Sequence, residues 1–481
     1  MRFLLFMIVY LVVSIAEAST DKKIVCYFGS WSVYRPGNGK FDISDIDPGV
    51  CTHLIYTFVG LQGEDVKVLD PWQDLPDEWG KDGFGRFNAL RNTSAKTLIA
   101  IGGWNEGSAK YSQMAAKPAS RERFADNVVK FVKKWGFDGF DVDWEYPGQR
   151  GGSPQDRENY IELLKSLRSR FDKAGLILSA AVAAAESSAS ISFNIPEICK
   201  YLDFVNIMAY DLHGAWESVT GINAPLRAAS SDTTQNKKLT VEAAVKYWLE
   251  QGAPRDKLVL GMPLYGRAFT LTNPSDNAVG ASARGAGAAG PYTREPGMLG
   301  YNEICEMQSQ GNWNIVFDEE RRVPYAVKGD QWVGYDNIKS IREKAELVKD
   351  LGLAGAMVWS IETDDFKGIC GHKYPLLKTI NSVLRGGTPV PEESIPPEVL
   401  EIPEVPGLPA TTDPIENRPT PSRPISGSGT CTSIGNIPDP ESCGYIACVP
   451  TVRGGFEEHR MQCGIGLCFN PFNGICDWLQ I

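Results

Sequence analysis

The chain has 481 residues, more than the roughly 150 residues of an ordinary domain, although a single α/β barrel can take about 250 or more. With 43% hydrophobic and 22% charged residues, the composition is that of a globular protein and excludes a disordered or fibrous one. Lysine and arginine total 48 against 59 acidic residues, a net charge of −11, which argues against a nucleic-acid partner because phosphates attract cationic side chains. The charge fits a neutral or cationic partner.

The first 18 residues predict a secretory signal peptide. Met1 and Arg2 precede the apolar run 3–13, and Ala16 and Ala18 stand at the positions of small residues before a cleavage site. A membrane anchor would need about 20 apolar residues, which this run does not reach, and no later stretch is long enough. We therefore expect a secreted, extracellular protein with no membrane partner, in which disulfides can form. Asn92 lies in the sequon Asn-Thr-Ser and is the predicted glycosylation site.

Proline and cysteine divide the rest of the chain into three parts. Residues 388–430 contain eleven prolines and almost no large aromatic residues, which indicates an extended linker. The linker separates a large domain, 19–387, from a module, 431–481, that is too small to be stable without disulfides. The six cysteines of the module are Cys431, Cys443, Cys448, Cys463, Cys468 and Cys476.

In the large domain, short apolar runs alternate with helical patterns. Such runs are typical of parallel strands that helices cover on one side. The candidate strands are Ile24–Phe28, His53–Phe58, Thr97–Gly102, Phe137–Asp143, Leu176–Ala183, Phe204–Met208, Leu258–Pro263 and Ala354–Trp359. Eight β/α units predict an α/β fold of the (β/α)8 TIM-barrel type, with a small α+β insertion near 267–335 between the seventh and eighth strands. In this fold the chemistry occurs at the C-terminal ends of the strands.

The fourth predicted strand carries a row of acidic residues. Side chains alternate between the faces of a strand, so Asp141, Asp143 and Glu145 share one face. The apolar residues between them share the other face: Phe140, Val142 and Trp144. Because these can pack against the helices, the acids must point into the barrel, where like charges raise each other's pKa. Stability does not explain such a row, but acid/base catalysis does.

Two other interpretations of the acidic row are disfavoured. A solvated acidic strand would not contain interleaved large apolar residues. A calcium loop requires a glycine and oxygen ligands at fixed positions, which this segment lacks. The four histidines have no ligand spacing either, so we expect no metal and no other cofactor: His53, His213, His372 and His459. We expect His213 to form a hydrogen bond beside the groove and Asp138, on the opposite face, to have a structural role.

Four motifs in order resemble glycoside hydrolase family 18, the chitinases. The first is the family's DxxDxDxE signature, which Asp138, Asp141, Asp143 and Glu145 match without a gap. The other segments resemble the family's SxGGW, its MxYDxxG and two later strand ends: Ala100–Trp104, Met208–Gly214, Tyr265–Arg267 and Met357–Trp359. The likeness extends over 23–384 and departs from the pattern at Ala100, where many members have serine.

The resemblance implies an endochitinase that cleaves β-1,4 bonds between N-acetylglucosamine units and retains the anomeric configuration. In this family the substrate's own 2-acetamido group replaces the enzyme nucleophile. Glu145 would protonate the glycosidic oxygen and later deprotonate water, while Asp143 would orient the acetamido group. Asp141 would share a proton with Asp143, and Tyr210 would hold the acetamido oxygen.

The predicted substrate-binding residues are mostly aromatic, because a neutral polysaccharide offers flat apolar ring faces. They are Tyr27, Trp31, Phe58, Gly103, Trp104, Met208, Asp211, Trp216, Tyr265, Arg267 and Trp359. By resemblance, Trp359 is the floor of the cleavage subsite, Trp104 the first platform beyond it, and Asp211 and Arg267 grip the sugar. The expected partners are chitin and chitooligosaccharides, and the protein is expected to be a monomer.

The large domain has five cysteines, for which we predict two disulfides. Cys26–Cys51 would tie the first β/α unit, and Cys305–Cys370 would tie the insertion to the chain after the last strand. The fifth, Cys199, would be a buried free thiol.

The C-terminal module resembles the peritrophin-A type of chitin-binding domain. The resemblance rests on three segments: 461–463, 469–471 and 474–478. It is partial, because Cys468 is extra and the final cysteine of that domain is absent. Six cysteines allow fifteen pairings, and spacing does not choose among them, although Cys468 could pair with Cys443. The alternative is that disulfides hold the module together and that it binds no ligand.

Two other functions share the acidic row. An inactive chitinase-like lectin would keep the groove but typically lacks the acid, which is present here as Glu145. An endo-β-N-acetylglucosaminidase acting on N-glycans would not need a long aromatic groove or a chitin-binding module. Both are disfavoured for these reasons.

Overall fold

The computed structural model describes residues 22–93 and 95–391 together with five short strands near the C-terminus, at 435–438, 445–450, 456–461, 467–470 and 475–478. The chain divides into two compact units, Met1–Leu400 and Glu401–Ile481. The predicted signal peptide, most of the linker and the turns of the C-terminal module lie outside the described residues. In the part that is described, no helix combines the length and the apolar character that crossing a membrane requires.

The first unit is built around a closed barrel. Its strands are β1 (Lys23–Gly29), β2 (His53–Gln62), β3 (Asp65–Val68), β4 (Lys96–Gly102), β5 (Gly139–Asp143), β6 (Ile177–Ala183), β7 (Phe204–Met208), β8 (Leu258–Pro263), β9 (Tyr265–Leu271), β10 (Ala283–Ala286), β11 (Met298–Gly300), β12 (Asn314–Asp318), β13 (Val323–Lys328), β14 (Gln331–Gly334) and β15 (Gly355–Trp359). The barrel runs β1-β2-β4-β5-β6-β7-β8-β15 and closes because β1 pairs with both β2 and β15. All these pairings are parallel, and β3 is an antiparallel addition to β2. The predicted TIM barrel is confirmed.

Eleven α-helices accompany the strands in the described residues. They are α1 (Pro71–Asp74), α2 (Gly83–Ala89), α3 (Ala109–Ala115), α4 (Pro118–Trp135), α5 (Asp156–Ala174), α6 (Glu186–Ser192), α7 (Ile195–Tyr201), α8 (Val241–Glu250), α9 (Tyr301–Ser309), α10 (Ile338–Asp350) and α11 (Pro375–Arg385). In α4, Phe124, Val128 and Val132 recur with helical spacing and are buried in the main core. The helix stops at Gly136, whose φ of +81° few other residues tolerate. The chain then turns directly into β5, which carries the acids.

The insertion between β8 and β15 is a six-stranded antiparallel sheet with α9. Only Leu264 separates β8 from β9, so the insertion begins at the end of a barrel strand. It has a small core of its own, in which Phe269 and Trp332 contact each other edge to face. The insertion therefore starts two residues earlier than the predicted 267, and the two extra residues, Tyr265 and Gly266, lie at the barrel mouth.

Both predicted disulfides of the first unit are confirmed, Cys26–Cys51 and Cys305–Cys370. The first links β1 to Cys51, two residues before the start of β2, and the second links α9 to the segment after β15. Cys199, in α7, is a buried free thiol as predicted. Burial raises the pKa of this thiol to about 11, which leaves it protonated and unreactive at neutral pH.

The second unit is described only through its strands. β16 (Gly435–Pro438), β17 (Tyr445–Pro450) and β18 (Phe456–Met461) form an antiparallel sheet, and β19 (Leu467–Asn470) pairs with β20 (Ile475–Trp478). In the register of the second pair, Cys468 is opposite Asp477 and Cys476 is opposite Phe469. The predicted disulfides of the module and the predicted Asn92 glycosylation site lie outside the described side chains and stay predictions.

Candidate active site

The acidic row begins inside the barrel, on β5. Asp141 and Asp143 are 0% and 3% exposed, and Glu145 follows two residues beyond the end of the strand, where it is partly buried. On the other face of the row, the Trp144 indole is buried and donates a hydrogen bond to Ser108 Oγ at 3.0 Å. The alternation of a strand thus separates the acids from the apolar residues, as the sequence predicts.

Asp141 is the deepest acid and is held by three strands. It accepts hydrogen bonds from Tyr27 on β1 at 2.8 Å, Ser179 on β6 at 2.6 Å and Asn206 on β7 at 3.4 Å. Asn206 also donates to the Tyr27 hydroxyl at 3.0 Å. Because β1 and β7 are not neighbours of β5, these contacts place the Asp141 carboxyl in the barrel interior. Burial raises the pKa of Asp141 to about 6, although the three hydrogen bonds act in the opposite direction.

Asp143 occupies the middle of the row. Its Oδ1 atom is buried and has no hydrogen-bond partner in the described structure. Burial raises its pKa well above the ordinary value, and the charges of Glu145 and Asp141 raise it further. A buried polar atom without a partner is uncommon in folded proteins, and a bound ligand or a water molecule would supply the missing group. The predicted proton sharing between Asp141 and Asp143 stays a prediction, since the hydrogen bonds described for Asp141 go to Tyr27, Ser179 and Asn206.

Glu145 has the properties of a general acid. Burial raises its pKa to about 7, and the negative charge of Asp211 adds to that effect. A hydrogen bond from Tyr146 and the positive charge of Arg150 oppose it. Near neutral pH a large share of Glu145 is therefore protonated, which is the state that donates a proton.

Two predicted residues at the end of β7 meet the first residues of the insertion. Tyr210 is 8% exposed, and its hydroxyl points to Met357 Sδ at 3.8 Å, a weak acceptor. Asp211 accepts hydrogen bonds from Tyr265 Oη and Arg267 Nε, both at 2.7 Å. Burial disfavours the charge of Arg267, but the hydrogen bond to Asp211 raises its pKa. Met208, the last residue of β7, is partly buried.

Three aromatic residues form a continuous surface at the barrel mouth. The ring centroids of Phe58 and Trp359 are 5.8 Å apart, those of Trp31 and Phe58 are 6.1 Å apart, and those of Trp31 and Trp359 are 6.2 Å apart. Trp31 is 40% exposed, so part of this surface is open to solvent. Gly103 is needed beside it, because a Cβ there would lie 2.6 Å from the Phe58 ring.

Two further predicted platforms are more exposed. Trp104 and Trp216 are 59% and 62% exposed, which is far above the usual exposure of a core tryptophan. The Arg150 guanidinium lies 3.5 Å from the Trp104 ring centroid, and that of Arg267 lies 5.5 Å from the Trp216 ring. Exposed indoles held by neighbouring cations suit the stacking of a sugar ring.

The structure also shows what the sequence analysis did not predict. Ser179, Asn206 and Asn223 are buried polar residues of the site, and Asn223 Oδ1 accepts from the Asp211 amide at 2.8 Å. Tyr27, predicted to bind substrate, is 1% exposed and donates its hydroxyl hydrogen to Asp141. The signal that would have identified Ser179 and Asn206 is a single polar residue inside an otherwise apolar strand.

Residues outside the acidic row complete the electrostatic description. His213 contacts the Glu217 carboxylate at 3.0 Å, so it forms the predicted hydrogen bond. Asp138 Oδ2 accepts from the Thr97 amide at 2.9 Å, a structural contact between neighbouring strands. Among the described residues, the cluster with metal-ligand spacing is Cys305, Asp365 and Cys370, but both sulfurs belong to a disulfide and offer no thiolate.

Comparison with known proteins agrees with this geometry. Residues 23–364 match the family described as Glycosyl hydrolases family 18. The chain is 42% identical over 395 residues to probable chitinase 2 of Drosophila melanogaster, covering 75% of this chain and 80% of that protein. It is 40% identical over 417 residues to the endochitinase of Manduca sexta, covering 83% and 74%.

A solved structure is similar over the whole barrel. The crystal structure of Ostrinia furnacalis Group IV chitinase has 46% sequence identity and a TM-score of 0.74, and the match covers 76% of this chain and all of that chain. The same protein has also been solved in complex with allosamidin. Fold, acidic row and sequence together show that the chain belongs to family 18 of the glycosyl hydrolases.

Proposed function

We propose that the protein is a secreted endochitinase that hydrolyses β-1,4 bonds between N-acetylglucosamine units of chitin and chitooligosaccharides. The observation that supports this most directly is the buried Oδ1 of Asp143, which has no partner among the described residues and lies in the row between Asp141 and Glu145, whose pKa is raised to about 7. A neutral sugar that carries an N–H group would satisfy that oxygen. The 2-acetamido group of N-acetylglucosamine has such an N–H.

The proposed reaction is substrate-assisted and retains the anomeric configuration. Glu145 donates its proton to the glycosidic oxygen as the bond to the anomeric carbon breaks. The acetamido oxygen attacks that carbon from the opposite face and forms a cyclic oxazolinium, whose positive charge Asp143 stabilises. Glu145, now ionised, then takes a proton from water, which opens the ring and restores the acetamido group. Tyr210, whose hydroxyl is directed at the weak acceptor Met357 Sδ in the described part of the chain, would donate to the acetamido oxygen.

The groove is proposed to bind a chain of several sugars. Trp359 forms the floor of the cleavage subsite, Trp31 and Phe58 extend it on one side, and Trp104 is the platform on the other. Asp211 and Arg267, joined at 2.7 Å, hold hydroxyl groups of the sugar at the cleavage point. An aromatic surface of this length favours an internal cut in a long chain over the removal of a short glycan.

The whole chain is proposed to act in four parts and as a monomer, because every site residue comes from one barrel. Residues 1–18 direct secretion, 19–387 form the catalytic barrel, and 388–430 form a linker. Residues 431–481 would bind chitin and keep the barrel at a high local concentration on an insoluble surface. Asn92 would carry a glycan.

Incubation with a chitin pentasaccharide and analysis of the products test this function. We expect shorter oligosaccharides, with the β-anomer formed first, as proton NMR can follow. Glu145→Gln should lower turnover by about 10²–10⁴-fold, because proton transfer is lost, and should leave binding of the pentasaccharide intact.

Each alternative predicts a different result. Binding of the pentasaccharide by the parent protein without cleavage would identify a lectin. Cleavage of an N-glycan but not of the pentasaccharide would identify an endo-β-N-acetylglucosaminidase. Equal turnover by the parent and Glu145→Gln would contradict the role of Glu145.

A further inference from the structure

Glu362 is a fully buried carboxylate at the barrel mouth that the proposed mechanism does not use. It lies three residues after Trp359, in the segment that follows β15, and its exposed fraction is 0%. An isolated buried carboxylate is costly, so its partners explain why it is kept there.

The partners of Glu362 come from two neighbouring strand ends. On the β15 side, Ser360 Oγ donates to Glu362 Oε1 at 2.6 Å. On the β1 side, the Gly29 amide donates to Oε2 at 3.2 Å, and the Arg35 guanidinium lies 3.7 Å from Oε1. One side chain therefore fastens β1 to β15 at the place where both strands enter the groove.

Each of these strand ends carries one of the groove tryptophans. Trp359 directly precedes Ser360, and Trp31 follows Gly29 by two residues. Gly29 is closely packed between the carboxylate and an indole, because a Cβ there would lie 2.7 Å from Glu362 Oε1 and 2.8 Å from the Trp31 ring. The Glu362 carboxylate is thus bonded to the backbone two residues before Trp31 and to the side chain of the residue directly after Trp359.

The surroundings of Glu362 act on its ionisation in two opposite directions. Burial raises its pKa, while Arg35, the Ser360 hydroxyl and the Gly29 amide act in the opposite direction. The Arg35 side chain is itself only 10% exposed, so the pair is shielded from solvent and from salt. Replacing such a pair by apolar packing often costs no stability, so stability alone does not explain its presence at this place.

We propose that Glu362 is a positioning residue that sets the relative orientation of Trp31 and Trp359, and so aligns the sugars that stack on them. This inference rests on the proposed function, since it concerns how the same groove holds a chitin chain. Glu362 does not contact the reacting atoms. Its effect is on the shape of the aromatic surface before substrate arrives.

The test compares Glu362→Gln with Glu303→Gln. Glu303 is also 0% exposed and accepts several hydrogen bonds, from Tyr292, Thr293 and Gly300, but it lies in the insertion and outside the groove residues. We expect Glu362→Gln to raise KM for a chitin pentasaccharide about tenfold, with a smaller change in kcat, because misaligned platforms weaken binding. Its near-UV circular dichroism should change as the coupled indoles shift. Glu303→Gln should keep the parent KM and the parent spectrum in the indole region.

The spectra keep this inference separate from the proposed function. If the parent does not cleave the oligosaccharide, the proposed function fails, but the change in near-UV signal still tests the role of Glu362. If Glu362→Gln does not fold, the same two measurements are made on Ser360→Ala, which removes the hydroxyl that donates to Glu362. Parent values of KM and a parent spectrum in the folded variants, or equal changes in Glu303→Gln, would overturn the inference.

Discussion

The Tyr27 hydroxyl donates a hydrogen bond to Asp141 Oδ2 at 2.8 Å, at the closed end of the acidic row. The two residues are 114 positions apart in sequence and lie on strands that are not neighbours in the barrel. Burial raises the pKa of Asp141 to about 6, and Tyr27 is one of three donors that keep it from rising further. Tyr27 thus limits how easily the deep end of the row takes up a proton.

Replacement of Tyr27 by phenylalanine should therefore raise the pKa of Asp141 above about 6. The pair of aspartates would then gain a proton at a higher pH, and the acidic limb of the kcat/KM profile should move upward in pH. We expect a loss of activity of about tenfold at neutral pH, the size that one hydrogen bond to a charged group supports. Tyr111→Phe, which removes a hydrogen bond to Glu106 instead, is the matched control. An unmoved acidic limb in Tyr27→Phe would contradict this role.

The alkaline limb of the pH profile of kcat/KM should follow the ionisation of Glu145. Its pKa is raised to about 7, first by burial, and the protonated form is the one that donates to the glycosidic oxygen. Activity should therefore fall as the pH rises through about 7, far above the pKa of about 4.3 of an unperturbed glutamate. Measurement of kcat/KM on a soluble oligosaccharide across the pH range checks this. Full activity well above pH 7 would show that another group supplies the proton.

The acidic row should cost stability at neutral pH. The folded-state pKa of Asp143 is raised, first by burial, above its value in the unfolded chain. Stability associated with this group is therefore complete below the unfolded pKa, near 3.9, and is lost as the pH rises toward the folded pKa.

Asp143→Asn removes that titration, so its Tm should exceed the parent Tm by about 2–4 °C at neutral pH, with no difference at pH below about 3.9. Turnover should be lost at the same time, the trade-off expected of a strained active site. Thermal unfolding at both pH values measures the effect. A variant that is less stable than the parent at neutral pH would show that the charge of Asp143 does not destabilise the folded protein.

The two disulfides of the barrel unit close loops of different length, so their effects on stability can be compared. Cys305–Cys370 spans 65 residues and Cys26–Cys51 spans 25. In the chain-entropy account, the longer loop restricts the unfolded chain more, which corresponds to about 4.3 against about 3.5 kcal/mol. Removal of Cys305–Cys370 by paired serine substitutions should therefore lower the free energy of unfolding more than removal of Cys26–Cys51. Denaturant unfolding of the two variants gives the difference, and the opposite order would point to native-state strain.

The sequence predicts the barrel and the acidic row because both follow from local periodicity. Apolar runs locate the strands, and the period of two decides that Asp141, Asp143 and Glu145 share a face. It does not predict that Asn206 reaches both Tyr27 and Asp141, because that contact exists only once the barrel has closed.

The contacts around the groove tryptophans could not be predicted from the sequence either. Glu362 lies in the acidic segment Glu-Thr-Asp-Asp and carries no local signal of burial, yet it is fully buried. Its partner Gly29 lies 333 residues earlier in the chain. No local sequence pattern predicts a contact between residues so far apart in the chain.

Arg150 contacts both Glu145 and Trp104. Its guanidinium lies 3.5 Å from the Trp104 ring centroid, and its Nη1 donates to the Glu145 carbonyl at 2.9 Å. Burial raises the pKa of Glu145, and the positive charge of Arg150 opposes that rise. Arg150 therefore contacts both the proposed proton donor and the proposed platform for the leaving sugar.

Arg150→Gln should move the alkaline limb of kcat/KM to higher pH, because the charge that lowers the pKa of Glu145 is gone. It should also raise KM about two- to fivefold, the range that one exposed cation–π contact supports, as Trp104 loses the group that holds its ring. Arg150→Lys retains the charge, so its alkaline limb should stay near that of the parent while KM still rises. A limb that shifts equally in both variants would mean that the planar contact with Trp104, and not the charge, sets the proton affinity of Glu145.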